Sequence, residues 1–163
     1  MFELKPLSKE GIPGALEKAM RYRLLNEPGD AESICLDILR IDPGNQEALV
    51  TLLLAITDSS TPSYRIGNVD IKSVIEQLDD EYSRAYYSGI AAERSAKAQL
   101  ELGTEYGREY AYDHLREAMA WFEKAQALHD AGNDDAILRW NTCARIIETN
   151  NLKERVELEF SLE

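Results

Sequence analysis

This sequence predicts an all-α fold of about seven antiparallel helices, and three observations carry that prediction. Apolar residues recur at the i, i+3, i+4, i+7 spacing of a helix face almost from end to end. Strong breakers divide the chain into helix-length pieces: Asn26-Glu27-Pro28-Gly29, Asp42-Pro43-Gly44-Asn45, Ser59 to Ser63, Gly103-Thr104 and Gly132-Asn133-Asp134. Most of these connections are short, so consecutive helices must pack as antiparallel neighbours.

The first helix begins at Pro13, whose missing N–H costs nothing in a first turn. Ala15, Leu16, Ala19, Tyr22 and Leu24 give it an apolar face up to about Leu25. The second runs from about Asp30 to Ile41, with Ala31, Ile34, Cys35, Ile38 and Ile41 facing inward. Pro43 then stops it, because the residue before a proline avoids the α region. Gln46 to Thr57 forms the third helix, facing the core with Leu49, Leu52, Leu53 and Ile56. After a Ser/Thr/Pro loop, a shorter fourth helix presents Ile71, Val74, Ile75 and Leu78.

Asp79 or Asp80 can cap the fifth helix, since a short side-chain oxygen accepts from a first-turn N–H. That helix places Tyr82, Ala85, Tyr86, Gly89 and Ile90 at core spacing and continues to about Leu102. The sixth, from about Tyr106 to His129, presents Leu115, Ala118, Met119, Phe122 and Ala125. The seventh, Asp135 to about Thr149, faces inward with Ile137, Trp140, Ala144 and Ile147. The expected organisation is an extended N-terminal segment (1–11), a helical domain (12–150) and an extended C-terminal tail (151–163). Within the tail, Val156-Glu157-Leu158-Glu159-Phe160-Ser161-Leu162-Glu163 alternates with period two, a strand pattern suited to pairing with the N-terminal residues or with another copy.

With 163 residues the chain is long enough to bury a core without disulfides or metals. Cys35 and Cys143 fall inside apolar helical patterns and read as free core thiols. No apolar run approaches the roughly 18 residues of a membrane span. Met1 to Pro6 lack the basic cluster and apolar stretch of a signal peptide, so the expected location is cytoplasmic. The formal charge is −12, and fifteen of the thirty acidic residues lie in residues 1–81, so the excess is even. Nucleic acid and anionic membranes are bound by neutralising phosphate with Lys and Arg, which argues against both as partners.

Ala31, Cys35 and Ile38, followed by Pro43, resemble the second helix of a tetratricopeptide repeat, with its small, bulky and small positions and a boundary proline. Leu49, Leu52 and Ile56 fall on the apolar positions of the next first helix, and Ala19 with Tyr22 matches the helix before. Ala118, Phe122 and Ala125 give a second match, and Tyr86 with Gly89 a partial third. Ala31 and Ala118 are 87 residues apart, not a multiple of the 34-residue period, so the repeats are degenerate. The resemblance implies a right-handed superhelix of helix hairpins and a groove that binds a peptide or helix of a partner. Some members of the family clamp a C-terminal carboxylate with Lys and Asn on the first helices. The corresponding positions here are Leu16, Met20, Val50 and Leu54, so that clamp is missing and the groove reads as apolar.

Chemistry finds little foothold. His114 and His129 lie fifteen residues apart on one helix, about 22 Å along the axis, too far to share a metal. His114 with Glu117 could hold one side of a metal site, but a bridged pair needs Glu-x-x-His on two helices. No Gly-rich phosphate loop and no Gly-x-Ser-x-Gly occur. The pairs Asp79-Asp80 and Asp134-Asp135 stand where helix starts favour negative charge. Neither a catalytic residue nor a cofactor or metal site is assigned. Arg84, Tyr87, Arg94, Arg139 and Arg145 are the candidate partner-binding residues, since Tyr and Arg are enriched in binding hot spots. The same arginines could instead pair with neighbouring glutamates on a wet surface. The reading is therefore a non-catalytic module binding another protein or peptide. A self-associating subunit using the C-terminal tail, and a metal-binding or enzymatic helical protein, are the alternatives.

Overall fold

A computed structural model describes residues 1–59 and 66–155, and the described chain is helical, with seven α-helices and no strand. They are α1 (Ile12–Leu24), α2 (Pro28–Ile41), α3 (Gln46–Asp58), α4 (Ile71–Glu76), α5 (Glu81–Glu101), α6 (Glu105–Ala127) and α7 (Asp135–Thr149). The alternating residues 156–163 lie outside the described part. The N-terminal segment is irregular except for a single 3-10 turn at Lys9–Gly11, capped by the Ser8 hydroxyl. The chain forms two compact units, Met1–Ser88 and Gly89–Glu163, with α5 contributing residues to both.

In the first unit α1 packs against α2, α2 against α3, and α1 also touches α3. Local sequence sets each boundary. Pro13 sits in the first turn of α1 and Pro28 in the first turn of α2, so α2 begins two residues before the expected Asp30. Asn45 caps α3, its Oδ1 accepting the Ala48 N–H at 2.9 Å. The α1 helix ends at Asn26, whose φ of 60° lets the Glu27 N–H reach the Tyr22 carbonyl at 2.8 Å. Asn tolerates that left-handed conformation better than other side-chain-bearing residues. The core joins Ala19, Ala31, Cys35, Leu49, Leu52, Leu53 and Ile56 with Val74 and Leu78. A second cluster joins Leu16, Ile38 and Ala48.

The α1 face differs from expectation at its end. Leu16 and Ala19 are buried, but Tyr22 is largely exposed and Leu24 is 88% exposed. Arg23 turns inward in their place, because Asp58 at the end of α3 offers it a carboxylate at 2.7 Å. That bond joins the last turns of α1 and α3, while Leu16 and Ala48 meet near their starts. The two helices therefore run parallel, with the antiparallel α2 packed against each.

In the second unit α6 packs along α7. All five expected α6 residues, Leu115, Ala118, Met119, Phe122 and Ala125, are buried, together with Ala111 and Gly107. Thr104 caps the helix, its hydroxyl accepting the Gly107 N–H at 2.9 Å. On α7 the contact line is rotated from the expected one. Ala136 and Cys143 are buried, whereas Ile137, Trp140, Ala144 and Ile147 are half-buried flanks. Small residues at i and i+7 let α6 approach closely, and the larger ones spread to either side. The helix closes at Asn151 (φ 49°), with the Leu152 N–H bonded to the Ile147 carbonyl at 3.0 Å and Leu152 itself buried. From α5 this unit takes Ile90, Ala92, Glu93 and Ala96, all buried.

Candidate functional site

The five candidate binding residues are divided between the units. In the first, Arg84 folds back on its own helix start, Nη1 donating to the Leu78 carbonyl at 2.6 Å. Tyr87 is half-buried against the core and meets Tyr86 edge-on at 5.2 Å, while Tyr86 stacks on Tyr82 at 5.8 Å. Both residues serve packing within the unit. In the second, Arg94 is half-buried and Arg145 is exposed. Arg139 reaches Glu93, with Nη1 and Oε1 at 3.3 Å. The pairing of arginine with a neighbouring glutamate is thus realised at Arg139, though the glutamate is buried rather than wet.

Two surfaces remain as candidate sites. The first lies on α1 beside α3. Leu16, Met20 and Leu24 fall at i, i+4 and i+8, one stripe of the helix. Exposure climbs along it from Leu16, buried in the core, to Met20 at 56% and Leu24 at 88%. Val50 and Leu54 on the parallel α3 are half-buried against the core. The groove positions named from sequence are therefore partly roofed at Leu16, Val50 and Leu54 and open at Met20. Leu24, one turn on, is the residue the sequence placed inside. Leu25, 62% exposed, extends the apolar surface around the helix end.

The second centres on Glu93, which is only 1% exposed. Its Oε1 accepts from Lys97 Nζ at 2.5 Å on the same helix and from Arg139 on α7, while Oε2 has no hydrogen-bond partner among the described residues. Glu preceding Lys by four residues is the favourable order on a helix. Sequence reasoning missed this cluster. The signal was present, for Glu93 falls on the core stripe of α5, four residues after Gly89 and three before Ala96.

The first unit holds a comparable buried carboxylate. Glu32, 1% exposed, accepts the backbone N–H of Gly67 at 3.0 Å and of Ile66 at 3.4 Å, pinning the segment before α4 onto α2. Each carboxylate lies near a buried thiol. Burial first, and then the nearby glutamate, push Cys35 up to about 12, against a smaller opposing pull from Arg23. Cys143 is likewise pushed up to about 12 by burial and Glu93, opposed by Lys97 and Arg139. A thiol that holds its proton so tightly is a poor nucleophile, so neither cysteine reads as catalytic.

His114 Nδ1 lies 3.2 Å from Glu117 and packs edge-on to Tyr110. Among the described residues no group of three or more His, Cys, Asp and Glu side chains is placed to hold a metal ion. Of the acidic pairs at helix starts, Asp80 caps α5 by accepting the Ser83 N–H at 2.8 Å. Asp134 makes no such bond; Asn133 Oδ1 accepts the Asp135 N–H instead, at 3.2 Å. No helix among the described residues is long and apolar enough to cross a membrane. No protein-family model, curated protein or solved structure matches this chain.

Proposed function

We propose that this chain is a non-catalytic binding module that holds an apolar-faced peptide or helix of a partner protein. The carrying observation is the Leu16–Met20–Leu24 stripe, which begins in the core and emerges into solvent beside Val50 and Leu54. A helix laid along the paired α1 and α3 would continue the packing that Leu16 begins, in the manner of an amphipathic helix in a groove. The tetratricopeptide-type reading is supported by α1, which packs on both its hairpin partner α2 and the parallel α3. Buried, strongly protonated thiols and the lack of a metal-binding group among the described residues give an enzymatic reading no starting point.

The test is capture of partners on immobilised protein, followed by synthesis of the retained partner's binding segment as a peptide. Burying a Leu or Met side chain stabilises by about 1.5–3 kcal/mol, so losing two anchors weakens binding well beyond tenfold. Met20→Glu with Leu24→Glu should therefore raise the peptide's Kd at least tenfold while leaving helicity unchanged. Unchanged affinity in that variant would remove this surface from the reading.

A further inference from the structure

We infer that Lys97 and Arg139 form a carboxylate-binding site, taking an Asp or Glu side chain from an acidic segment of a partner. The inference names a partner chemistry and rests on the reading of the chain as a binding module. It stands on a different observation from the α1 stripe.

Glu93 draws two cations from two helices onto one oxygen: Lys97 Nζ at 2.5 Å from α5 and Arg139 Nη1 at 3.3 Å from α7. Both heads are thereby held within a few ångströms of each other at the surface. Their side chains stay 42% and 39% exposed, whereas Glu93 is 1% exposed. The carboxylate lies beneath the two cations, and the sides they turn to solvent are positive.

The surrounding sequence adds to this. Between Glu93 and Glu101 the charged residues of α5 are Arg94 and Lys97, and between Asp135 and Glu148 those of α7 are Arg139 and Arg145. Glu123 on the facing α6 accepts the Trp140 ring N–H at 2.9 Å, and so is engaged elsewhere. In a chain of net charge −12 these helix stretches are a local reversal of sign. At physiological salt the screening length is about 8 Å, so an incoming carboxylate responds to the adjacent pair more than to the distant acidic excess. Guanidinium geometry matches a carboxylate with two parallel N–H donors, and the Lys ammonium adds a point charge. Because Glu93 orders both heads in advance, little side-chain entropy is lost on binding.

The probes are three eight-residue peptides, of glutamate, of glutamine and of lysine, read by the side-chain nitrogen NMR signals of Arg139 and Lys97 in the full-length protein. The glutamate peptide should shift both signals saturably, with an affinity falling at least fivefold between 50 and 300 mM salt. The glutamine and lysine peptides should leave them in place. Removing the cations alone would strand a buried charge, so the variant is the neutral set Glu93→Gln, Lys97→Gln and Arg139→Gln, checked for retained helicity. It should lose binding of the glutamate peptide at least tenfold. No shift in the wild-type protein, or undiminished binding in the neutral set, would overturn the site. Equal shifts with inorganic phosphate at the same concentration would overturn its assignment to an acidic peptide. Either failure leaves the Met20 and Leu24 test unaffected, so the two readings fail separately.

Discussion

The Phe122 ring stands directly over Gly89, so that a β-carbon built on the glycine would meet Cε1 of the ring at 2.5 Å. Phe122 is fully buried and is the largest such side chain of the molecule's described part. The absent side chain at Gly89 is therefore the space that the ring fills.

Gly89→Ala tests this contact. In an exposed helix interior that change is stabilising by roughly 0.5–1 kcal/mol. Here the ring must move, and overpacking costs typically 1–3 kcal/mol. The expected result is a net loss of stability in denaturant titration. Phe122→Ala should cost about 3–5 kcal/mol. A gain in stability for Gly89→Ala would show that the ring shifts without cost and that the contact is loose.

The two thiols offer a probe of each unit. Held up to about 12 by burial, Cys35 and Cys143 are protonated at neutral pH in the native protein. A thiol reagent at pH 8 should find no reactive group until denaturant is added, and two afterwards. The sign for stability follows from the raised values: the native state keeps protons that the unfolded chain gives up. Stability is thus intact below the ordinary thiol value of about 9 and declines between there and about 12. Cys35→Ala with Cys143→Ala should flatten that alkaline decline.

Asp80 works at the other end of the pH scale. Its bond with Ser83 at the start of α5 lowers its carboxyl below the usual aspartate value, outweighing partial burial. A depressed carboxylate contributes stability above its unfolded value, lost as pH falls through the folded one. Amide exchange at Ser83 should accelerate relative to its neighbours on acidification below that range. Asp80→Asn should abolish the difference; an unchanged profile in that variant would place the acid sensitivity elsewhere.

At Glu93 burial and attraction oppose one another. One oxygen is doubly paired, the other lacks a hydrogen-bond partner, and both cations reach water. Replacing a buried ion pair with an apolar residue of similar volume is often neutral or stabilising. Glu93→Met should therefore cost less than about 1 kcal/mol in thermal or denaturant unfolding, because Lys97 and Arg139 can be solvated once released. A loss of about 3 kcal/mol or more would mean the two bonds outweigh desolvation.

Much of this fold was legible because α2, α3 and α6 carry continuous apolar stripes whose period a helix must satisfy. Every expected inward residue of α3 and α6 is buried. Reading the stripe of α1 to its end failed at Tyr22 and Leu24, since periodicity says nothing of the Asp58 carboxylate waiting for Arg23 across 35 residues. On α7 the large residues Ile137 and Trp140 drew attention from Ala136 and Cys143, whose smallness makes the contact. The candidate surfaces were harder still. Arg139 was visible as a cation, but its role depends on Glu93, a residue whose burial only the packing of α5 and α7 reveals.

The Glu32 contact with Gly67 bears on the order in which the first unit assembles. It closes 35 residues of sequence, whereas α1, α2 and α3 meet through turns of a few residues. Closing a longer loop costs more entropy, so the three-helix nucleus should form before the segment ahead of α4 arrives on α2. A contact made after the rate-limiting step governs escape from the native state rather than entrance to it. Glu32→Gln should consequently steepen the loss of native protein with time by speeding unfolding, with the refolding arm of the chevron almost unmoved. A slowed refolding arm would instead place that carboxylate in the nucleus. The lifetime of the folded first unit is set, on this view, by a single buried carboxylate that takes no part in building it.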